Sequence, residues 1–232
     1  MLLAPEETHH LKHVLKIGPG DQCIISDGRG HEFLGQVGRF LNDGRSEIVL
    51  LERSRREEKI GVKLLVAQAI PQRGKMDSII EKSAELGVFA LIPLLTERTV
   101  VKPKDEQTQK MRSRWERIAQ QTTKQAKTPR VPIVTEPAGF STLWSDRFSF
   151  DRAFLFHPDP KAGSLQALDF KQLRDLRAVL LVIGPEGGFS EKEIQSAKKS
   201  GAEILRMGPT TLKTDTAFVA AVSFFQMMLE PS

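Results

Sequence analysis

From residue 62 onward the hydrophobic pattern switches period repeatedly, and this constrains the fold more than any other feature of the chain. Residues 62–70 are an apolar run of strand length. Residues 75–86 repeat at helical spacing, with Met76, Ile79, Ile80 and Ala84 on one face and Gly87 as a stop. Residues 89–95 read as strand, and 105–125 as a longer helix with Met111, Trp115, Ile118, Ala119 and Thr122 in register. Strands follow at 152–156, 178–183 and 202–207. The last two are separated by a helix that opens on a capping box, Ser190 with Glu193. Thr214 is expected to cap a final apolar helix ending at Leu229. Such alternation implies an α/β fold with a mostly parallel, buried sheet.

The N-terminal part reads differently. A short helix at 7–15 precedes strands at 22–26, 31–40 and 46–51. Asp27-Gly28 with Gly30 supplies hairpin chemistry, and Asn42-Asp43-Gly44 breaks the later strands. This pattern suggests a small barrel-like module. Residues 52–59 carry mixed charge with nothing to bury and read as a linker. A chain of 232 residues, 40% of them hydrophobic, suits such an arrangement.

The formal net charge of +5 favours a polyanionic partner, nucleic acid first and an anionic membrane second. Cys23 is the one cysteine, so an intrachain disulfide framework is excluded and a reducing compartment is expected. Its apolar neighbours Ile24 and Ile25 suggest a buried, inert thiol. No run approaches the roughly 18 apolar residues of a membrane helix, and the first residues lack the basic region of a signal peptide. A cytoplasmic protein with no membrane contact is expected.

The most informative segment is Ile183-Gly184-Pro185-Glu186-Gly187-Gly188-Phe189-Ser190, between an apolar strand and a capped helix. Ligands of open α/β sheets bind at the carboxyl ends of strands, and glycines there let backbone approach a ligand. A plain tight turn is the alternative. The spacing matches neither a dinucleotide fingerprint nor a P-loop, so a nucleoside-like ligand without a phosphate requirement is indicated. A second loop, Met207-Gly208-Pro209-Thr210-Thr211-Leu212-Lys213-Thr214-Asp215-Thr216, again joins strand to helix. Phe156-His157-Pro158 lies at a third strand end.

Taken in chain order, these segments resemble a known family. The matching stretches are His9-His10-Leu11, Val14-Leu15-Lys16, Asp27-Gly28, Gln68-Ala69-Ile70, Gly74-Lys75-Met76-Asp77 and Glu81-Lys82-Ser83-Ala84-Glu85-Leu86-Gly87-Val88. Thr96-Glu97-Arg98, Val101-Lys102, Arg114-Trp115, Gln125, Arg130-Val131-Pro132 and the two glycine loops follow. Together they resemble the RsmE family of ribosomal RNA uridine-N3 methyltransferases, in the SPOUT superfamily, over residues 9–225 or so.

The resemblance implies a small PUA-like β-barrel RNA-binding domain at 1–58 and a trefoil-knotted α/β SPOUT domain at 59–232. It implies S-adenosylmethionine as cofactor, held by Phe156, His157, Ile183, Gly184, Pro185, Glu186, Gly187, Gly188, Met207, Gly208, Leu212, Thr214 and Thr216. It also implies a homodimer acting on small-subunit (16S) ribosomal RNA within the ribosomal particle. Uracil N3 becomes nucleophilic only when its proton leaves, so the site needs a base or cations that stabilise the anion. Arg98 and Lys213 are the candidate cations, and Glu186 is a candidate proton acceptor or ribose ligand. Between residues 98 and 130 lie ten Lys/Arg and three Asp/Glu, enough for a phosphate track. Arg112, Arg114, Lys124 and Arg130 are its candidates, with His10, Lys16 and Arg29 in the N-terminal module. His9 and His13 are four apart, but no third ligand has suitable spacing, so no metal site is expected.

The chain departs from the family pattern in places. Thr210, Lys213 and Asp215 stand where the family usually has Arg, Arg and Glu, so Lys213 keeps a charge without the bidentate fork. Lys124 replaces a usual Glu, and an Arg usual near Thr128 is missing. The family also opens with an Arg- and Phe-containing strand before the His-His-Leu segment, so that strand is absent or the true start lies upstream. Two other readings compete. A ribose 2'-O-methyltransferase usually carries Asn in the last loop, which has none here. A non-catalytic RNA-binding assembly factor would keep the fold without turnover.

Overall fold

Residues 178–183 carry no polar side chain, and a strand so composed belongs at the centre of a sheet covered on both faces. The computed structural model, which describes residues 1–53, 61–72, 74–103, 105–145 and 147–229, places it there. The chain divides into two compact units, Met1–Lys59 and Ile60–Ser232.

The second unit contains, in chain order, β5 (Lys63–Ala69), α2 (Met76–Glu85), β6 (Ala90–Leu95), α3 (Asp105–Ala126), β7 (Ile133–Val134), β8 (Ala138–Gly139) and β9 (Arg152–Phe156). β10 (Gly163–Ser164), α4 (Phe170–Leu173), β11 (Ala178–Ile183), α5 (Glu191–Lys199), β12 (Glu203–Arg206) and α6 (Thr214–Leu229) complete it. The described strands form one sheet in the order β10-β12-β9-β11-β5-β6-β7, with β8 paired to β6, and each pairing is parallel. Alternation along β11 sends Val179, Leu181 and Ile183 to one face and Leu180 and Val182 to the other. The first face packs Ile79, Ile80, Trp115, Phe154, Phe218 and Phe225 from α2, α3, β9 and α6. The second packs Phe140, Leu143, Phe189, Ile194 and Ala197. Both faces are buried, as a parallel sheet requires.

The first unit contains β1 (Leu2–Leu3), α1 (Pro5–His9), β2 (Gln22–Ser26), β3 (Glu32–Phe40) and β4 (Ser46–Arg53), its antiparallel sheet ordered β1-β4-β3-β2. Leu11, Val37 and Ile48 form its small core, with Cys23 and Ile25 packed against them. Cys23 is half-buried, not fully buried as expected, and that burial raises its thiol above its ordinary pKa.

Several elements differ from the sequence reading. The expected helix at 7–15 is α1 followed by a π-helical turn, His10–Val14, in which Leu15 N–H donates to the His10 carbonyl at 3.0 Å. Leu11 is buried there while Val14 and Leu15 face outward. The expected linker starts too early, since Glu52 and Arg53 pair with Leu34 and Phe33 inside β4. Its remainder lies outside the described residues. Thr214 does not cap α6. Lys213 holds the cap position, its carbonyl accepting from Ala217 N–H at 2.8 Å, and Thr214 is the first helical residue. The capping box of α5 is present as read, with both reciprocal bonds formed.

Candidate active site

Because the strands are parallel, their carboxyl ends share one edge, and so do the loops that follow them. Leu205, Phe156, Ile183 and Gln68 stand in one row across β12, β9, β11 and β5. Immediately beyond that row the loops 156–158, 183–189 and 207–214 surround a cavity of about 420 Å³, with Arg98 and Ala217 also on its wall.

Short-range bonds fix these loops. A side chain at Gly184 would start 3.0 Å from the Phe189 ring, tighter than ordinary packing. The Gly184 carbonyl accepts from the Thr214 hydroxyl at 2.7 Å, and Thr214 accepts from Gln68 Nε2 at 3.0 Å. Gln68 is fully buried and also donates to the Ala69 carbonyl at 2.8 Å. The loop that follows β11 is thereby tied to β5 and α6. Arg98 Nη1 donates to the Gly187 carbonyl at 2.7 Å, which holds its guanidinium against the same loop. Glu186 is exposed, and its Oε1 accepts from the Gln72 N–H at 3.2 Å. Lys75 Nζ lies 3.4 Å from Asp215 Oδ1. Burial acts to raise the Asp215 carboxyl, but backbone N–H groups at Asp215 and Thr216 and the Lys75 ammonium outweigh it and hold the group below the usual range. Asp215 is therefore an anion at neutral pH.

The residues present fit an adenosine-bearing ligand. The volume lies within the range of small-molecule sites. Phe156, Ile183, Leu212 and Ala217 supply apolar walls, and the glycine loops bring backbone groups close. His157 Nδ1 is buried without a protein partner on this wall, a polar atom that a bound ligand can satisfy.

Phe156, His157, Ile183, Gly184, Pro185, Glu186, Gly187, Gly188, Met207, Gly208, Leu212 and Thr214 all line the cavity, and so do Arg98 and Lys213. Thr216 does not. It is exposed, because residues 214 and 217 face the cavity and a residue two positions after Thr214 is turned about 200° away. The candidate RNA residues lie in both units, with Arg112, Arg114 and Lys124 on α3. Arg112 pairs with Glu116 and Glu136 at 2.8 and 3.3 Å. Arg114 pairs with Asp77, and the Arg130 guanidinium lies 5.2 Å from the Phe89 ring centre. Lys124 is exposed on α3. His10, Lys16 and Arg29 are exposed in the first unit, where the His9 and His13 rings stack at 4.5 Å. Gln68, Lys75 and Glu193 were not singled out as site residues. Only Gln68 offered a signal, an amide at the end of an apolar strand.

A nucleoside-sized cavity at the parallel-strand ends, in a chain that also carries a separate antiparallel module, defines a class, and comparison with known proteins supplies it. Residues 57–226 match the family model of the RNA methyltransferase domain, and residues 3–39 that of the RNA methyltransferase PUA domain. The chain is 30% identical over 228 residues to ribosomal RNA small subunit methyltransferase E of Bacillus subtilis, covering 97% of this chain and 89% of that one. It is 28% identical to the same enzyme of Synechocystis, covering 98% and 73%. Among solved structures, the Neisseria gonorrhoeae methyltransferase E bound to S-adenosyl methionine aligns with a TM-score of 0.85, at 26% identity over 98% of this chain and 91% of that one. A Legionella pneumophila methyltransferase in complex with the same cofactor aligns at 0.82 and 28% identity, over 98% and 91%. The chain belongs to the ribosomal RNA small subunit methyltransferase E family.

Proposed function

We propose that this protein methylates N3 of a uridine in small-subunit ribosomal RNA, using S-adenosylmethionine. The observation that carries the proposal is the cavity itself: a ligand-sized space walled by strand-end backbone, with two cations, Arg98 and Lys213, on its rim. When bound, S-adenosylmethionine supplies an electrophilic methyl group on a sulfonium. The residues on the walls at Phe156, Ile183, Leu212 and Ala217 would hold its adenosine. The chain's own task is alignment and charge. Arg98 and Lys213 stabilise negative charge on the uracil carbonyls as the N3 proton leaves. Glu186 receives that proton or holds ribose. Asp215, held ionised beside Lys75, keeps the Lys75 ammonium at the start of α2.

The protein acts as a homodimer, for which α6 offers an exposed side: Val219 is 37% and Met227 74% exposed, with Thr216 and Ala220 also exposed on that side. The chain path is a trefoil knot, consistent with β11 lying between β9 and β5 and α6 returning across them. The substrate is ribosomal RNA within the particle, and the location is the cytoplasm. Among the described residues no helix is long and apolar enough to cross a membrane.

The test incubates purified protein and S-adenosylmethionine with small ribosomal subunits or with naked rRNA, then digests and identifies the methylated nucleoside. 3-Methyluridine, formed more readily on assembled subunits, is the expected product. A 2'-O-methyl nucleoside, or no methylated product, contradicts the proposal.

A further inference from the structure

One buried titratable side chain lies outside the cavity lining. Glu193, the third residue of α5, is 8% exposed. The capping box occupies only one of its oxygens: Oε2 accepts from Ser190 N–H at 2.8 Å, while Ser190 Oγ accepts from Glu193 N–H at 3.3 Å. The other oxygen, Oε1, accepts from the backbone N–H of Glu97 at 2.8 Å, across 96 residues of sequence. Glu97 directly precedes Arg98 in the turn that leaves β6. That turn is closed on itself, since Thr99 N–H donates to the Thr96 carbonyl at 3.2 Å and Thr96 N–H to Thr99 Oγ1 at 3.0 Å. These bonds fix its shape but not its position. Its position against the loop 184–189 is set by Arg98 on the Gly187 carbonyl and by Glu193 on Glu97.

We infer that Glu193 is a positioning residue for Arg98, its carboxylate clamping the Arg98 turn to the end of the cofactor loop. This rests on the reading of Arg98 as the cation that faces the uracil. A charged acceptor is about twice as strong as a neutral one, and a helix cap alone does not need a second oxygen spent on a distant turn. Glutamine at this position still completes a capping box. Its amide, however, replaces one of the two accepting oxygens by an NH2 donor, and the two N–H groups each face a different oxygen of the carboxylate.

The test has two independent readouts. Amide hydrogen exchange on the protein without ligand reads the clamp itself. In Glu193→Gln the Glu97 amide exchanges about tenfold faster than in wild type, while the α5 amides keep their protection. Methyl-transfer kinetics read its purpose. Glu193→Gln lowers kcat about tenfold with little change in KM for S-adenosylmethionine, and adds nothing further in an Arg98→Ala background. Ser190→Ala, which removes only the cap, lowers Tm and leaves kcat unchanged. Glu97→Pro provides a second route should Glu193→Gln fail to fold. Proline suits the second position of the 96–99 turn, deletes the N–H without touching α5, and lowers kcat to the same extent. Unchanged Glu97 exchange in Glu193→Gln overturns the inference. So does an equal loss of kcat in Ser190→Ala, or a loss that persists in the Arg98→Ala background. If the wild type transfers no methyl group, the functional reading fails instead, and the exchange result alone decides the clamp.

Discussion

A methyl group added at Gly184 would meet the Phe189 ring at 3.0 Å, and that ring is 2% exposed, with little room to retreat. Overpacking of this kind costs about 1–3 kcal/mol. Here the strain falls on the loop that walls the cavity. Gly184→Ala is therefore expected to raise the Kd for S-adenosylmethionine about tenfold by calorimetry. An unchanged Kd would mean that the loop's closeness to Phe189 plays no part in binding. A second residue-scale prediction concerns Asp27 at the β2–β3 turn. Burial nudges its carboxyl upward, but the His31 side chain at 2.7 Å, the backbone N–H groups of Arg29 and His31, and the His31 charge together lower it from 3.8 to about 2. A carboxyl lowered by folding stabilises the fold above its unfolded pKa and loses that contribution as pH falls through the folded value. Exchange protection of the 27–31 turn should accordingly fall between about pH 4 and about pH 2, and Asp27→Asn should abolish that transition. Screening at this partly exposed site keeps the effect small.

Elements long enough to show a period were legible, and shorter ones were not. The strands 152–156 and 178–183 match the observed β9 and β11 to the residue, because the apolar run of β9 starts after Arg152 and stops at His157-Pro158, and that of β11 lies between Arg177 and Gly184-Pro185. β1, β7, β8 and β10 have two residues each, too few to display any alternation, and only their partners make them strands. The π-helical turn at 10–14 carries ordinary helix formers, so nothing local distinguished it from α-helix. Helix stops were more readable. Gly87 ends α2 with φ +68°, and Val88 N–H closes onto the Ser83 carbonyl at 2.9 Å. Gly87→Ala is expected to cost about 1 kcal/mol and to lower Tm by about 2–4 °C in a chain of this size. An unchanged Tm in a calorimetric scan would contradict that account of the helix end.

At the scale of the whole molecule, the sequence showed that three loops follow three strands, but not that those strands are neighbours. The order β12-β9-β11 is a tertiary fact, and it is what turns separate glycine loops into one cavity. The same holds for Thr214 on Gly184, 30 residues apart, and for Glu193 on Glu97, 96 apart. Thr216, which the resemblance implies as a cofactor contact, is exposed and turned away from the cavity wall by helical rotation. Assembly is tested on the exposed stripe of α6. Met227→Glu, or Val219→Glu, is expected to convert a dimer to a monomer by sedimentation and to lower methyl transfer, whereas an unaltered sedimentation profile would place the interface elsewhere. The central claim is tested most directly by mass spectrometry of nucleosides from small-subunit ribosomal RNA of cells with and without this gene. The account predicts that 3-methyluridine disappears on deletion and returns with the wild-type gene. With Arg98→Ala it should return at a rate lower by about a hundredfold, as expected for loss of a donor to developing negative charge. A 3-methyluridine content unchanged by deletion would contradict it.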